Sequence, residues 1–122
     1  MAKSEREWGV VAGLSGFSAL VMGAIGAHAV ADAHAASLVE TASLYQLIHA
    51  GLLLWLSSRD RLGWALARWL FLAGTLLFCG TIYLKTLAGW ESATALAPLG
   101  GTSFMLGWLL VAFAYGFEKR GS

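Results

Sequence analysis

With 122 residues, of which 58% are hydrophobic and only 12% charged, this chain is too apolar for an ordinary soluble domain, where about 25% of residues are charged. Too little polar surface would remain to cover its apolar segments, and the length leaves no room for a separate soluble catalytic module. The net charge of +1 gives no case for nucleic acid, and the single cysteine, Cys79, excludes an intrachain disulfide and a CxxC metal or redox motif.

Four apolar stretches, at 8–30, 41–57, 62–85 and 97–117, are each near or above the length a helix needs to cross about 30 Å of hydrocarbon. Basic residues mark alternate ends of them. Lys3 and Arg6 precede the first, Arg59, Arg61 and Arg68 lie at the second junction, and Lys119 and Arg120 follow the fourth. Only Lys85 breaks the alternation. The positive-inside bias then predicts an all-α integral membrane four-helix bundle with both termini cytoplasmic, one domain over residues 1–122, multi-pass in a bacterial inner membrane.

The first stretch competes with a signal peptide. Lys3 and Arg6 could form its basic region, and Ala27-His28-Ala29 or Ala33-His34-Ala35 its cleavage site. Glu5 and Glu7 dilute that basic region, and the apolar run from Trp8 to Ala27 exceeds the usual 7–15 residues, so a retained first helix is expected. In that helix Ser15, Ala19, Gly23 and Ala27 recur at every fourth position, and Gly9 and Gly13 form a GxxxG on an adjacent face. Such small residues let membrane helices approach closely, which predicts a packing face and no chemistry.

The segment 31–38 reads as a loop or interfacial turn, with Thr41 or Ser37 capping the second helix and Glu40 in its first turn. The second helix is the least hydrophobic. Tyr45, Gln46 and His49 lie in its first turns, and because such groups rarely face lipid it is expected to sit against the other helices. Tight loops follow around Arg59-Asp60-Arg61 and Pro98. The third helix carries Gly74, Phe78, Thr81 and Lys85 along one side, and Trp64, Trp69, Trp90, Trp108 and Tyr115 are candidates for interfacial belts. The fourth repeats the small-residue device with Gly100, Ser103, Gly107 and Ala114. Gly100-Gly101 after Pro98 could suggest an anion site at a helix start, but a turn that lets neighbours approach explains it as well.

Chemistry has few candidates. With both termini inside, His28, Glu40, Tyr45, Gln46, His49, Tyr83 and Lys85 fall at similar depth in the outer leaflet, Tyr45 and His49 on one helical face. They could hold a metal, or a haem between His28 and His49, or relay protons. They could equally hydrogen-bond between helices or reach the headgroups. The spacing favours that second reading, because HxxxH, HExxH and ExxH are all absent. His34 reads as solvated, and Lys85 as a snorkelling residue paired with Glu40 or Glu91. Ser15, Ser18 and Ser103 lie among small packing residues and form no nucleophile elbow, so no enzyme activity is expected.

Gly23-Ala24-Ile25-Gly26-Ala27-His28-Ala29, Glu40-Thr41-Ala42 with Tyr45-Gln46, and His49-Ala50 resemble the first half of a known family. Leu77 to Leu84, then Ala97-Pro98-Leu99-Gly100-Gly101 and Gly107-Trp108, resemble its second half. Together they are similar to the domain-of-unknown-function family 423, small YgdD-like membrane proteins with the animal transmembrane protein 256 among them. Cys79 and Thr81 stand where serines would be expected, and Lys85 where an apolar residue would. The resemblance implies a four-helix inner-membrane protein and supplies no reaction. An accessory or structural role is expected, in a larger membrane complex or a homo-oligomer within the lipid bilayer, without a cofactor. The alternative is a small transporter or a haem, metal or quinone binder built on His28, Tyr45 and His49.

Overall fold

The computed structural model describes residues 2–117, and Lys119 and Arg120 lie outside them. The described residues form four helical rods: α1 (Lys3–His28), α2 (Ala33–Leu56), a third rod made of α3 (Leu62–Gly74), a π-helical turn (Thr75–Cys79) and α4 (Gly80–Ala88), and a fourth made of a 3-10 turn (Glu91–Leu96) running into α5 (Ala97–Gly116). Lys3–His28, Leu62–Ala88 and Glu91–Gly116 are long and apolar enough to cross a membrane. α2, with 24 residues, is also long enough, but Glu40, Tyr45, Gln46 and His49 make it less apolar.

The segment expected to be a loop is helical. Asp32 accepts a hydrogen bond from the amide of Ala35 at 2.8 Å, so α2 starts at Ala33 and the alanine-rich stretch forms its first turns. Thr41 and Ser37 are therefore interior, and Glu40 lies in the second turn. At the end of α4, Gly89 adopts φ +75°, and the amide of Trp90 reaches back to the carbonyl of Leu84, which stops the helix as glycine caps do. Pro98 lies in the first turn of α5 and not in a loop, where its missing N–H is no loss.

Two antiparallel pairs make up the molecule. α1 lies chiefly on α2. Gly16 meets Ala50, Gly23 meets Ser43 and Gly26 meets Val39, so closely that a Cβ added at each glycine would lie 3.8, 3.1 and 3.0 Å from the facing side chain. α5 lies on the third rod, with Gly107 under the ring of Phe71, Gly74 under Phe104, and Gly100 against the backbone of Leu77 and Phe78. Ser103 adds a hydrogen bond across this second pair, donating to the carbonyl of Leu70 at 2.6 Å. α2 joins the two pairs and has an apolar inner face, with Val39, Ala42, Leu53 and Leu56 fully covered. Trp64, expected at a membrane interface, is instead in the core, its ring edge-on to Trp55 and Tyr115.

Candidate functional site

The residues expected to converge divide between two places and the surface. The first place lies between α1, α2 and the third rod. The side-chain amide of Gln46 donates to the carbonyl of Ser15 at 3.0 Å, and its oxygen accepts from the hydroxyl of Tyr83 at 2.8 Å. One residue thus ties three rods together. Cys79 donates to the carbonyl of Ala42 at 3.2 Å and Thr81 to that of Leu77 at 2.6 Å. These are bonds that serine hydroxyls could also make. A pocket of about 190 Å³ lies beside the network, lined by Ser18, Gln46, Thr75, Cys79 and Tyr83. The π-helical turn widens the helix here, and such insertions often accompany functional positions.

The second place lies between α2 and α5. Nδ1 of His49 is 2.6 Å from the carbonyl of Tyr45, to which it must donate because a carbonyl only accepts. Nε2 is therefore the acceptor, and it takes the indole N–H of Trp108 at 3.2 Å. The imidazole is neutral, with both nitrogens in use. It stacks on Phe104 with centroids 3.9 Å apart, while Tyr45 stacks on Phe78 at 5.1 Å. Beside this aromatic wall lies a cleft of about 590 Å³.

The other candidates do not join either place. His28, His34 and Glu40 are exposed. Lys85 is half-buried in the last turn of α4, and among the described residues it forms no ion pair with Glu40 or Glu91. His28 and His49 are not at one depth. The helix register sets Ala50 opposite Gly16, twelve residues from His28, or about 18 Å along α1 at about 1.5 Å per residue. A haem held between them does not fit this spacing, and His49 could bind a metal only by giving up Trp108. Among the described residues no group of three or more His, Cys, Asp or Glu side chains could hold a metal ion.

The small residues expected to pack also divide. Ala19 is buried, Gly23 lies on Ser43, and Ser15 receives Gln46. Ala27 is exposed and Gly26 takes its place against Val39. A Cβ at Gly9 or Gly13 would meet nothing within 4 Å, whereas one at Gly107 or Gly100 would collide.

Arg68 is a residue that charge counting assigned to the wrong task. It is buried in α3, and its Nη1 donates to the carbonyl of Leu56 at 2.7 Å and to that of Arg59. Its guanidinium carbon lies 5.4 Å from the centre of the Trp8 ring, and its Nε has no hydrogen-bond partner among the described residues. It closes the end of α2 from inside, where the last helical carbonyls need donors. The available signal was its position, six residues inside an apolar helix and past the Arg59–Arg61 turn.

Three apolar rods of membrane-spanning length, with polar side chains turned inward from α2, define a multi-pass integral membrane protein. Residues 22–101 match the family model described as protein of unknown function (DUF423). The chain is 36% identical to the UPF0382 membrane protein of Haemophilus influenzae, over 89% of this chain and 91% of that protein. It is 33% identical to the UPF0382 inner membrane protein YgdD of Escherichia coli over 92% of both, and 32% identical to the UPF0382 membrane protein of Staphylococcus epidermidis over 86% and 91%. The chain belongs to the DUF423 family and is a small integral protein of the bacterial inner membrane, the location that the name of the Escherichia coli relative gives. No solved structure matches it.

Proposed function

We propose that this protein is a four-span accessory protein of the inner membrane, both termini cytoplasmic, that docks a transmembrane helix of a larger partner or of a second copy. The observation that supports this is an open groove along α1 and α2. Its floor is Gly13, Gly16, Ala50 and Gly51, its walls are Phe17 and Leu54, and it encloses about 330 Å³. A second hollow of about 350 Å³ continues it past Gly9 toward Glu5 and Arg6. Lipid offers helices no hydrophobic drive to associate, so a floor of glycines is useful chiefly for close helix contact. α2 serves as the interior span because Gln46 and His49 are satisfied by neighbouring rods instead of facing hydrocarbon.

The floor glycines give a clean test. Because a Cβ at Gly13 or Gly51 meets nothing within 4 Å, Gly13→Leu and Gly51→Leu start from open space and project into the groove, and an unchanged melting temperature checks that the protein's own packing survives. Native mass spectrometry of protein released in mild detergent from its own membrane is expected to show a stoichiometric complex for the wild type. Each variant is expected as a folded free chain, with association weakened at least about tenfold, the loss of about 1.4 kcal/mol of contact. Complexes that survive both substitutions unchanged would remove the groove from the account.

A further inference from the structure

The cleft between α2 and α5 is not part of that groove, and its lining points to a ligand. α2 and α5 meet through the side chains of His49, Phe104 and Trp108 while their backbones stay apart, and Gly101, where a Cβ would meet nothing within 4 Å, leaves the space beside those rings unfilled. The walls are Tyr45, His49, Phe78, Phe104 and Trp108, and no acidic or basic side chain other than the neutral His49 lines the cleft. Tyr45 stands at the midpoint of α2 and Phe78 in the middle of the third rod, so the cleft lies near the middle of the spans. It opens toward lipid past Ile48 and Met105, both more than half exposed.

The chemistry of these groups narrows the occupant. A charged ligand at this depth would lack a counter-charge, which disfavours lipophilic anions most and cations less, since aromatic faces attract a cation. Flat rings suit an aromatic wall, because offset stacking adds to simple contact. His49 and Trp108 have already spent their donors on each other and on Tyr45. The hydroxyl of Tyr45 makes no hydrogen bond among the described residues, although hydrocarbon offers it none. The free group at this site is a phenolic hydroxyl, which can donate and accept, and a ligand carbonyl would satisfy its O–H, which hydrocarbon cannot. The volume of about 590 Å³ falls within the range of small-molecule pockets, about 300–1,000 Å³.

We propose that the α2/α5 cleft binds the ring of a neutral, membrane-dissolved carbonyl compound of the quinone class, with one carbonyl oxygen accepting from Oη of Tyr45. The ring lies against the Tyr45–Phe78 and Phe104–Trp108 surface, and the tail leaves past Ile48 and Met105. Binding alone is proposed; no electron transfer is implied.

The test is titration of the full chain in lipid nanodiscs with a short-tailed benzoquinone, followed by tryptophan fluorescence and compared with Trp108→Phe. Saturable quenching that falls sharply in Trp108→Phe is expected. Tyr45→Phe keeps the ring and removes the donor, so affinity should drop about tenfold, the scale of one hydrogen bond. Gly101→Leu fills the cleft and should abolish saturable binding while its melting temperature matches the wild type. Quenching that is linear in quinone, or saturable but unaffected by both Tyr45→Phe and Gly101→Leu, overturns the proposal. So does saturable binding of tetraphenylphosphonium at this cleft in place of the quinone. Because Gly101 and Gly13 lie on different faces, failure here leaves the groove result standing, and the reverse holds as well.

Discussion

Gly100→Ala is expected to destabilise the protein by about 3 kcal/mol, the upper part of the range for inserting a methyl group into a packed interior. The added Cβ would sit 2.3 Å from the amide nitrogen of Phe78 and 2.8 Å from the carbonyl carbon of Leu77. Both are backbone atoms within or beside the π-helical turn, so neither can rotate away, and α5 must lift from the third rod. Gly74→Ala collides as closely, at 2.4 Å, but with the ring of Phe104, so Phe104→Leu should restore much of the loss there and none at Gly100. Gly101→Ala is the control: it meets nothing, and the better helix propensity of alanine makes it neutral or stabilising by up to about 1 kcal/mol. Cys79 is buried and bonded to Ala42, so a thiol-reactive fluorophore that reaches it only on unfolding gives the melting curve in detergent. Equal melting of Gly100→Ala and wild type would mean that α5 does not approach the π-turn.

Arg68→Met is expected to cost about 2–3 kcal/mol, the scale of hydrogen bonds from a charged donor. Methionine fills much of the same space, so the loss reports the bonds more than the packing. The carbonyls of Leu56 and Arg59 lose their donor, and the turn between α2 and α3 loses the group that holds it. Arg68→Lys keeps the charge without the planar fork and should recover only part of the loss. The same melting assay decides the matter. If Lys restores full stability, the positive charge, and not the fork that spans the two carbonyls, is what Arg68 supplies.

What the sequence disclosed and withheld follows from which forces act locally. The apolar runs and the small-residue spacing marked the rods, because each is a property of one helix. The inward turn of Gln46 and His49 was also foreseeable, since lipid rejects such groups. The segment 31–38 reads as a loop because it is short, alanine-rich and polar, which puts the cap at Ser37 or Thr41 instead of Asp32, so the alanines after Asp32 are not taken as helix. They needed only to be good helix formers. Depth was harder. His28 and His49 looked level when each helix was measured from its own end, yet the sliding register of α1 on α2, set by Gly16, Gly23 and Gly26, moves them about 18 Å apart. Arg68 and Trp64 were assigned to the membrane surface by residue type, whereas tertiary packing placed one at a helix end and the other in the core. The α2/α5 cleft left no trace in the sequence, since it depends on how far apart tertiary packing holds two helix backbones.

Most of this reading requires α2, the least apolar of the four, to cross the membrane. Impermeant thiol labelling tests that directly in cells carrying Cys79→Ser, with single cysteines introduced in turn as His34→Cys, Ser58→Cys and Ser92→Cys, all at exposed positions. Labelling from outside at positions 34 and 92, and at 58 only after the membrane is opened, is the predicted pattern. Positions 34 and 58 labelling from the same side would mean that α2 does not span, and the interior role of Gln46 and His49, the cytoplasmic placement of both termini and the mid-membrane cleft would fall with it.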